Sequence, residues 1–172
     1  MKICVTGHRP SGLPIAYGYN MDNIAWKTLK EYLKVAILKC YEYAAENEKL
    51  TLITGMALGV DTIFWQAAEE LREENHSIKI EAAVPFEGQE RRWNTHSQQE
   101  YKNMLEKSDI VTVVSPGGYA AYKMESRNRY MVNNADVVIA VFNDKPGGTA
   151  KCIHYAEQQN KIIIKINPNE II

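Results

Sequence analysis

Met124-Glu125-Ser126-Arg127-Asn128-Arg129-Tyr130-Met131-Val132-Asn133-Asn134 runs into Ala135-Asp136-Val137-Val138-Ile139-Ala140-Val141-Phe142 and then into Asn143-Asp144-Lys145-Pro146-Gly147-Gly148-Thr149. The first segment reads as a short helix carrying cations. The second is a continuous apolar run, which suits a strand covered on both faces rather than one half exposed to water. The third is a Gly-Gly-Thr turn that opens another helix. Such a turn exposes backbone N–H groups at the positive end of a helix dipole, and both favour an anion.

The same alternation extends in both directions. Apolar runs at residues 2–6, 50–54, 78–84, 110–114 and 162–166 read as further strands. Between the first two, Leu29, Leu33, Ala36, Ile37, Cys40, Tyr41 and Ala44 recur at helical spacing behind a cap at Asp22 or Asn23. Helices are also expected from the turn at Gly55 to Asp61 through about Glu74, from about Ser97 to Lys107, and from about Thr149 to Gln159. Alternating strands and helices with nearly continuous apolar strands predict an α/β, Rossmann-like fold: a mainly parallel sheet of about six strands with helices on both faces. No repeat, linker or low-complexity tract divides the chain, so residues 1–172 are expected to form a single domain.

The 45% hydrophobic and 24% charged content is that of an ordinary globular protein, and no apolar run approaches the ~20 residues that span a bilayer. The apolar start, Ile3-Cys4-Val5, is strand-length and lacks the longer core of a secretory signal, so a cytoplasmic location is expected. A formal net charge of −1 gives no broad basic surface for duplex nucleic acid. Three separated cysteines and four histidines without ligand spacing predict buried thiols and no metal site.

In parallel sheets, ligands collect where loops leave the carboxyl ends of the strands, near the point at which strand order reverses. The loops expected there carry Gly7, Gly55 with Gly59, Gly117 with Gly118, and Gly147 with Gly148. Gly147-Gly148-Thr149 is the strongest phosphate candidate, with the Thr149 hydroxyl as an added donor or as a cap. Asp61 suits a ribose hydroxyl or a helix start, and Thr54 a ligand or a strand end. No loop is a full G-x-G-x-x-G, which disfavours an ordinary dehydrogenase. Arg127 and Arg129 lie two apart and leave a helix in different directions, so one of them should face the site. His8-Arg9 follows the first strand as a further polar pair. Pro85-Phe86-Glu87-Gly88-Gln89 with Arg91, Arg92 and Trp93 could stack a base, or could cover the sheet edge with its aromatics.

Taken in order, Thr6-Gly7-His8-Arg9, Thr54-Gly55-Met56-Ala57-Leu58-Gly59-Val60-Asp61, Val84-Pro85-Phe86, Arg127-Asn128-x-x-Met131 and Gly147-Gly148-Thr149 resemble the YpsA-like family over nearly the whole chain. That family belongs to the SLOG superfamily, with DNA-processing protein A and the LONELY GUY proteins. The resemblance implies a nucleotide or nucleotide-derived ligand at these loops, with Asn128 and Pro85 among the site residues, and a homodimer or higher homo-oligomer. LONELY GUY enzymes cleave the N-glycosidic bond of nucleoside monophosphates. Here Asn128 stands where they carry lysine, and Cys152, three residues beyond Thr149, where they carry glutamate. A thiol cannot replace a carboxylate that supports an oxocarbenium ion or activates water.

The leading expectation is therefore a binding or sensing module for a nucleotide-derived small molecule, ADP-ribose-like or a signalling nucleotide, with no cofactor. Phosphate and ribose would lie at Gly147 to Thr149 and Gly55 to Asp61, Arg127 would neutralise charge, and Arg9 or Phe86 would approach the rest. The alternatives are a nucleotide N-glycosidase or phosphoribohydrolase-like hydrolase, with Glu125, Glu87 or Asp61 in the acid–base role, and a single-stranded nucleic-acid-binding protein, which ranks lower for want of basic excess.

Overall fold

The computed structural model describes residues 1–74 and 76–172. Six strands, β1 (Lys2–Gly7), β2 (Leu50–Thr54), β3 (Ile78–Val84), β4 (Ile110–Val113), β5 (Val137–Val141) and β6 (Ile162–Ile166), form one sheet in the order β4-β3-β2-β1-β5-β6. Every neighbouring pair is parallel. The helices between them are α1 (Ile24–Tyr41), α2 (Val60–Glu73), α3 (Thr95–Lys107), α4 (Tyr122–Asn134) and α5 (Gly148–Gln158). The fold is α/β and Rossmann-like, and element boundaries fall within three residues of those expected, the largest difference being α1, which ends at Tyr41 rather than Ala44.

Side chains that alternate along a strand separate two cores. Ile3 and Val5 join Leu29, Leu33, Ile63 and Phe64 from α1 and α2, whereas Cys4 joins Met131, Val132, Cys152 and Ala156 from α4 and α5. This division follows from right-handed crossovers. The chain steps from β1 to β4 in one direction with its helices on one face, then crosses through α4 to β5 on the other side of β1. The helices past that crossing lie on the opposite face.

Continuous apolar runs hold double burial only where the sheet is central. β5 is buried at all five positions, but Ile110, Val111 and Val113 of the edge strand β4 are exposed. On one face α4 leaves β4 to pack over β3 and β1, which uncovers Ile110; Val111 and Val113, in register with Ala82 and Val84, lie on the other face at the open edge of the sheet. The cap expected at Asp22 or Asn23 is Asn23, whose side chain accepts from the Ala25 N–H at 3.1 Å and the Trp26 N–H at 3.4 Å.

Candidate functional site

The strand order reverses between β1 and β5, and a cavity of about 320 Å³ opens there at the carboxyl end of the sheet. The end of β1 contributes Thr6 and Gly7, and the loop after it His8 and Arg9. The loop after β2 and the start of α2 contribute Ala57 and Asp61, α4 contributes Arg127 and Asn128, and α5 contributes Gly148 and Thr149.

Two glycines act here through their missing side chains. A Cβ on Gly7 would lie 2.6 Å from the Cβ of Val60, so α2 could not sit so close to β1 with any other residue there. Gly59 has φ +96°, and a Cβ on it would meet the His8 carbonyl oxygen at 2.8 Å. That close approach seats the start of α2 against the loop after β1.

Two buried groups of opposite charge line the cavity. The Arg127 guanidinium, only 5% exposed, donates through Nη1 to the Gly55 carbonyl and through Nε to Asn128 Oδ1 at 2.9 Å. Asp61, 7% exposed, accepts the Ala57 N–H at 3.1 Å. A Cβ on Gly55 would stand in the gap between them, 2.6 Å from Arg127 Cζ and 2.8 Å from Asp61 Oδ2. Burial pushes the Asp61 pKa up, against the opposing pull of Arg127, the Ala57 amide and Arg9. Burial also lowers the pKa of Arg127, and Asp61 works in the other direction. Of the two arginines on α4, Arg127 thus faces the site. Arg129 is exposed, paired with Glu125 at 2.9 Å and lying over the Tyr155 ring.

The loops on either side of the switch point are joined. Asn143 donates its backbone N–H to His8 Nε2 at 3.5 Å and its side-chain amide to the Gly12 carbonyl at 3.0 Å. His8 also stacks on Phe142, and burial, together with nearby Lys145, holds its pKa below the ordinary imidazole value. The helix entrances differ. Asn side chains cap α1 and α3, whereas α2 and α5 begin at Gly59 and Gly147 with no side-chain cap among the described residues. A Cβ on Gly148 would meet none of the described residues within 4 Å, which leaves the first turn of α5 open to the cavity.

The structure therefore brings Gly7, His8, Arg9, Asp61, Arg127, Asn128, Gly148 and Thr149 to one cavity, with Gly147 beside it. Thr54 is fully buried outside its wall, and its hydroxyl donates to the Asp61 carbonyl at 3.0 Å. Pro85 is buried at the end of β3, and Phe86 and Glu87 border a second, larger groove of about 570 Å³. Glu125 borders a third recess with Cys152 on the far side of α4. The four glycine-bearing loops do not all converge: Gly118 borders the larger groove because β4 lies three strands from β1.

Sequence reasoning passed over Thr6, Asn143 and Lys123. Buried Lys123 donates from Nζ to the carbonyls of Pro116 at 2.6 Å and Gly118 at 2.7 Å. The available signal was spacing, since Lys123, Arg127 and Met131 recur every four residues and so share one helix face. Cys152 is buried, and burial raises its pKa, keeping the thiol protonated.

Known proteins agree with this architecture. The SPbeta prophage-derived protein YoqJ of Bacillus subtilis strain 168 is 30% identical over 149 residues, covering 80% of this chain and 85% of that protein. The UPF0398 protein YpsA of the same strain is 24% identical, covering 88% and 81%. Among solved structures, DNA processing protein A from Streptococcus pneumoniae matches with a TM-score of 0.65 at 18% identity, over 96% of this chain and 50% of that one. DNA processing protein A from Helicobacter pylori, whose structure concerns its single-stranded DNA binding mode, matches with a TM-score of 0.62 at 16% identity, over 97% and 65%. This chain thus spans half to two thirds of the length of those structures, whose likeness is one of fold. The model of the YspA SLOG family matches residues 3–171, and the chain belongs to that family.

Proposed function

We propose that the protein binds a nucleotide-derived small molecule, with phosphate at the open first turn of α5 and ribose beside Asp61. The observation that carries this reading is the facing of that uncapped helix entrance and the buried Arg127 across one cavity at the switch point. A helix N-terminus and a guanidinium each favour an anion, and within a partly dry cavity they act in a lower dielectric than water. Arg9, exposed and bordering the cavity, adds a second cation. A volume of about 320 Å³ lies at the lower end of the range for small-molecule sites.

Binding is favoured over hydrolysis by the placement of the carboxylates. Glu125 is engaged with Arg129 outside the cavity, and Glu87 borders the other groove. Asp61 alone lines the cavity, and its Oδ2 is held by the Ala57 amide. Incubation with AMP is expected to release no adenine; steady release that disappears in Glu125→Gln would establish the hydrolase instead.

A thermal-shift and calorimetry panel of AMP, ADP-ribose and cyclic dinucleotides tests the binding reading. At least one is expected to raise the melting temperature in a dose-dependent way, and Arg127→Leu to weaken that ligand about tenfold or more. Failure of every nucleotide at millimolar concentration removes the reading.

Single-stranded nucleic acid is the second reading, drawn from the likeness to DNA processing protein A. The net charge of −1 opposes it. Fluorescence anisotropy with a labelled oligonucleotide decides: tight, steeply salt-dependent binding would replace the small molecule. Self-association belongs to the same proposal, supported by the exposed apolar edge strand β4; a monomer throughout the micromolar range in sedimentation equilibrium would remove it.

A further inference from the structure

The larger groove is continuous with the cavity just described, since Arg9 and Ala57 border both. Its walls are of a different kind. Tyr19 and Tyr119 stand 80% and 72% exposed on its sides. Phe86 meets Tyr119 edge to face at 5.6 Å, and Trp93 completes the aromatic border. The Tyr119 wall is preformed, because Lys123 grips the carbonyls of Pro116 and Gly118, and the Glu87 N–H donates to the Gly117 carbonyl at 3.1 Å.

Gln89 borders the same groove, 8% exposed. Its Nε2 donates to the carbonyl of Met56, a residue held at φ +62°, which fixes the orientation of the amide. Its Oε1 is buried and has no partner among the described residues. A buried acceptor without a donor costs free energy, and a ligand that supplies one recovers it.

We propose that this groove is the base subsite of the same ligand: it takes a planar aromatic ring bearing an N–H donor on its edge, the amino-carrying base of a nucleotide whose phosphate occupies the first cavity. The inference rests on the binding reading above and adds to it where the base lies and what edge it presents. Tyr119 supplies the stacking surface, and Gln89 Oε1 accepts from the exocyclic amine.

Calorimetry with ribose 5-phosphate, AMP and purine riboside 5′-monophosphate, on the wild-type protein and Tyr119→Ala, tests both parts. AMP is expected to bind about tenfold or more tightly than ribose 5-phosphate, a ratio in the range of one stacked base. Tyr119→Ala, a change at an exposed ring, removes most of that ratio and leaves ribose 5-phosphate unchanged. Purine riboside 5′-monophosphate, which lacks the amine, binds several-fold more weakly than AMP. Equal binding of AMP and ribose 5-phosphate, unmoved by Tyr119→Ala, overturns the base subsite while the phosphate site stands. Equal binding of AMP and the deaminated ring overturns the role of Gln89. If none of the three binds, the nucleotide reading fails and this inference with it.

Discussion

Gly55 has no side chain in the one place where a methyl group would touch both Arg127 and Asp61. Gly55→Ala is expected to cost about 1–3 kcal/mol by overpacking, read as a lower midpoint in urea denaturation. Asp61 points the other way. Its folded pKa is raised, so between the ordinary carboxylate pKa and the folded value the native state binds more protons than the unfolded chain. Stability from this group is fully present at acid pH and declines as pH rises through the folded pKa. Asp61→Asn keeps the shape without the buried charge, so the variant is expected to lose that component of the pH dependence and to melt no lower than wild type at neutral pH, while binding ribose ligands more weakly. Melting curves across pH 4 to 8 check the sign. Residues two apart cannot share a helix face, so the sequence showed that one of Arg127 and Arg129 turns inward, and the apolar Met124 and Met131 on the face of Arg127 select it. The roles of Lys123 and Gln89 were not legible, since both bind backbone carbonyls, Lys123 in the adjoining loop and Gln89 in a distant one, and a carbonyl has no signature in the residue that carries it.

The helix entrances separate stability from binding. Asn23→Ala removes the cap of α1, which lines neither the cavity nor the groove, and is expected to cost about 1 kcal/mol with nucleotide affinity intact. Gly148→Asp does the reverse. There is room for its side chain, and a carboxylate in the first turn of α5 complements the helix dipole, so the melting temperature should hold or rise while the ligand phosphate is repelled. Parallel melting and binding measurements on the two variants distinguish them; a ligand that binds Gly148→Asp as well as wild type would move the phosphate elsewhere. Most elements were readable from apolar runs and helical spacing because central parallel strands are covered twice. The exposure of β4 was not, because its sequence is as apolar as that of β5 and only strand order separates an edge from a centre.

At the scale of the molecule, a net charge of −1 limits the electrostatic contribution to the site itself. Nucleotide affinity should therefore follow salt with a log–log slope no steeper than about −2, whereas a strand laid across many cations would give a steeper one. Calorimetry at several salt concentrations gives the slope. The sequence showed which loops end in glycine, but which of them meet depends on the order of the strands, and that order places the crossing between β1 and β5. The crossing also has a consequence for synthesis. Ile3 of β1 pairs with Val137 of β5, so the ribosome must add more than a hundred residues, on the order of ten seconds of elongation, before β1 gains its second neighbour. Until then one edge of this central strand stands open and the pocket is incomplete, so a nascent chain cannot use the ligand to steady itself, and premature termination anywhere before β5 leaves an adhesive fragment rather than a weak binder.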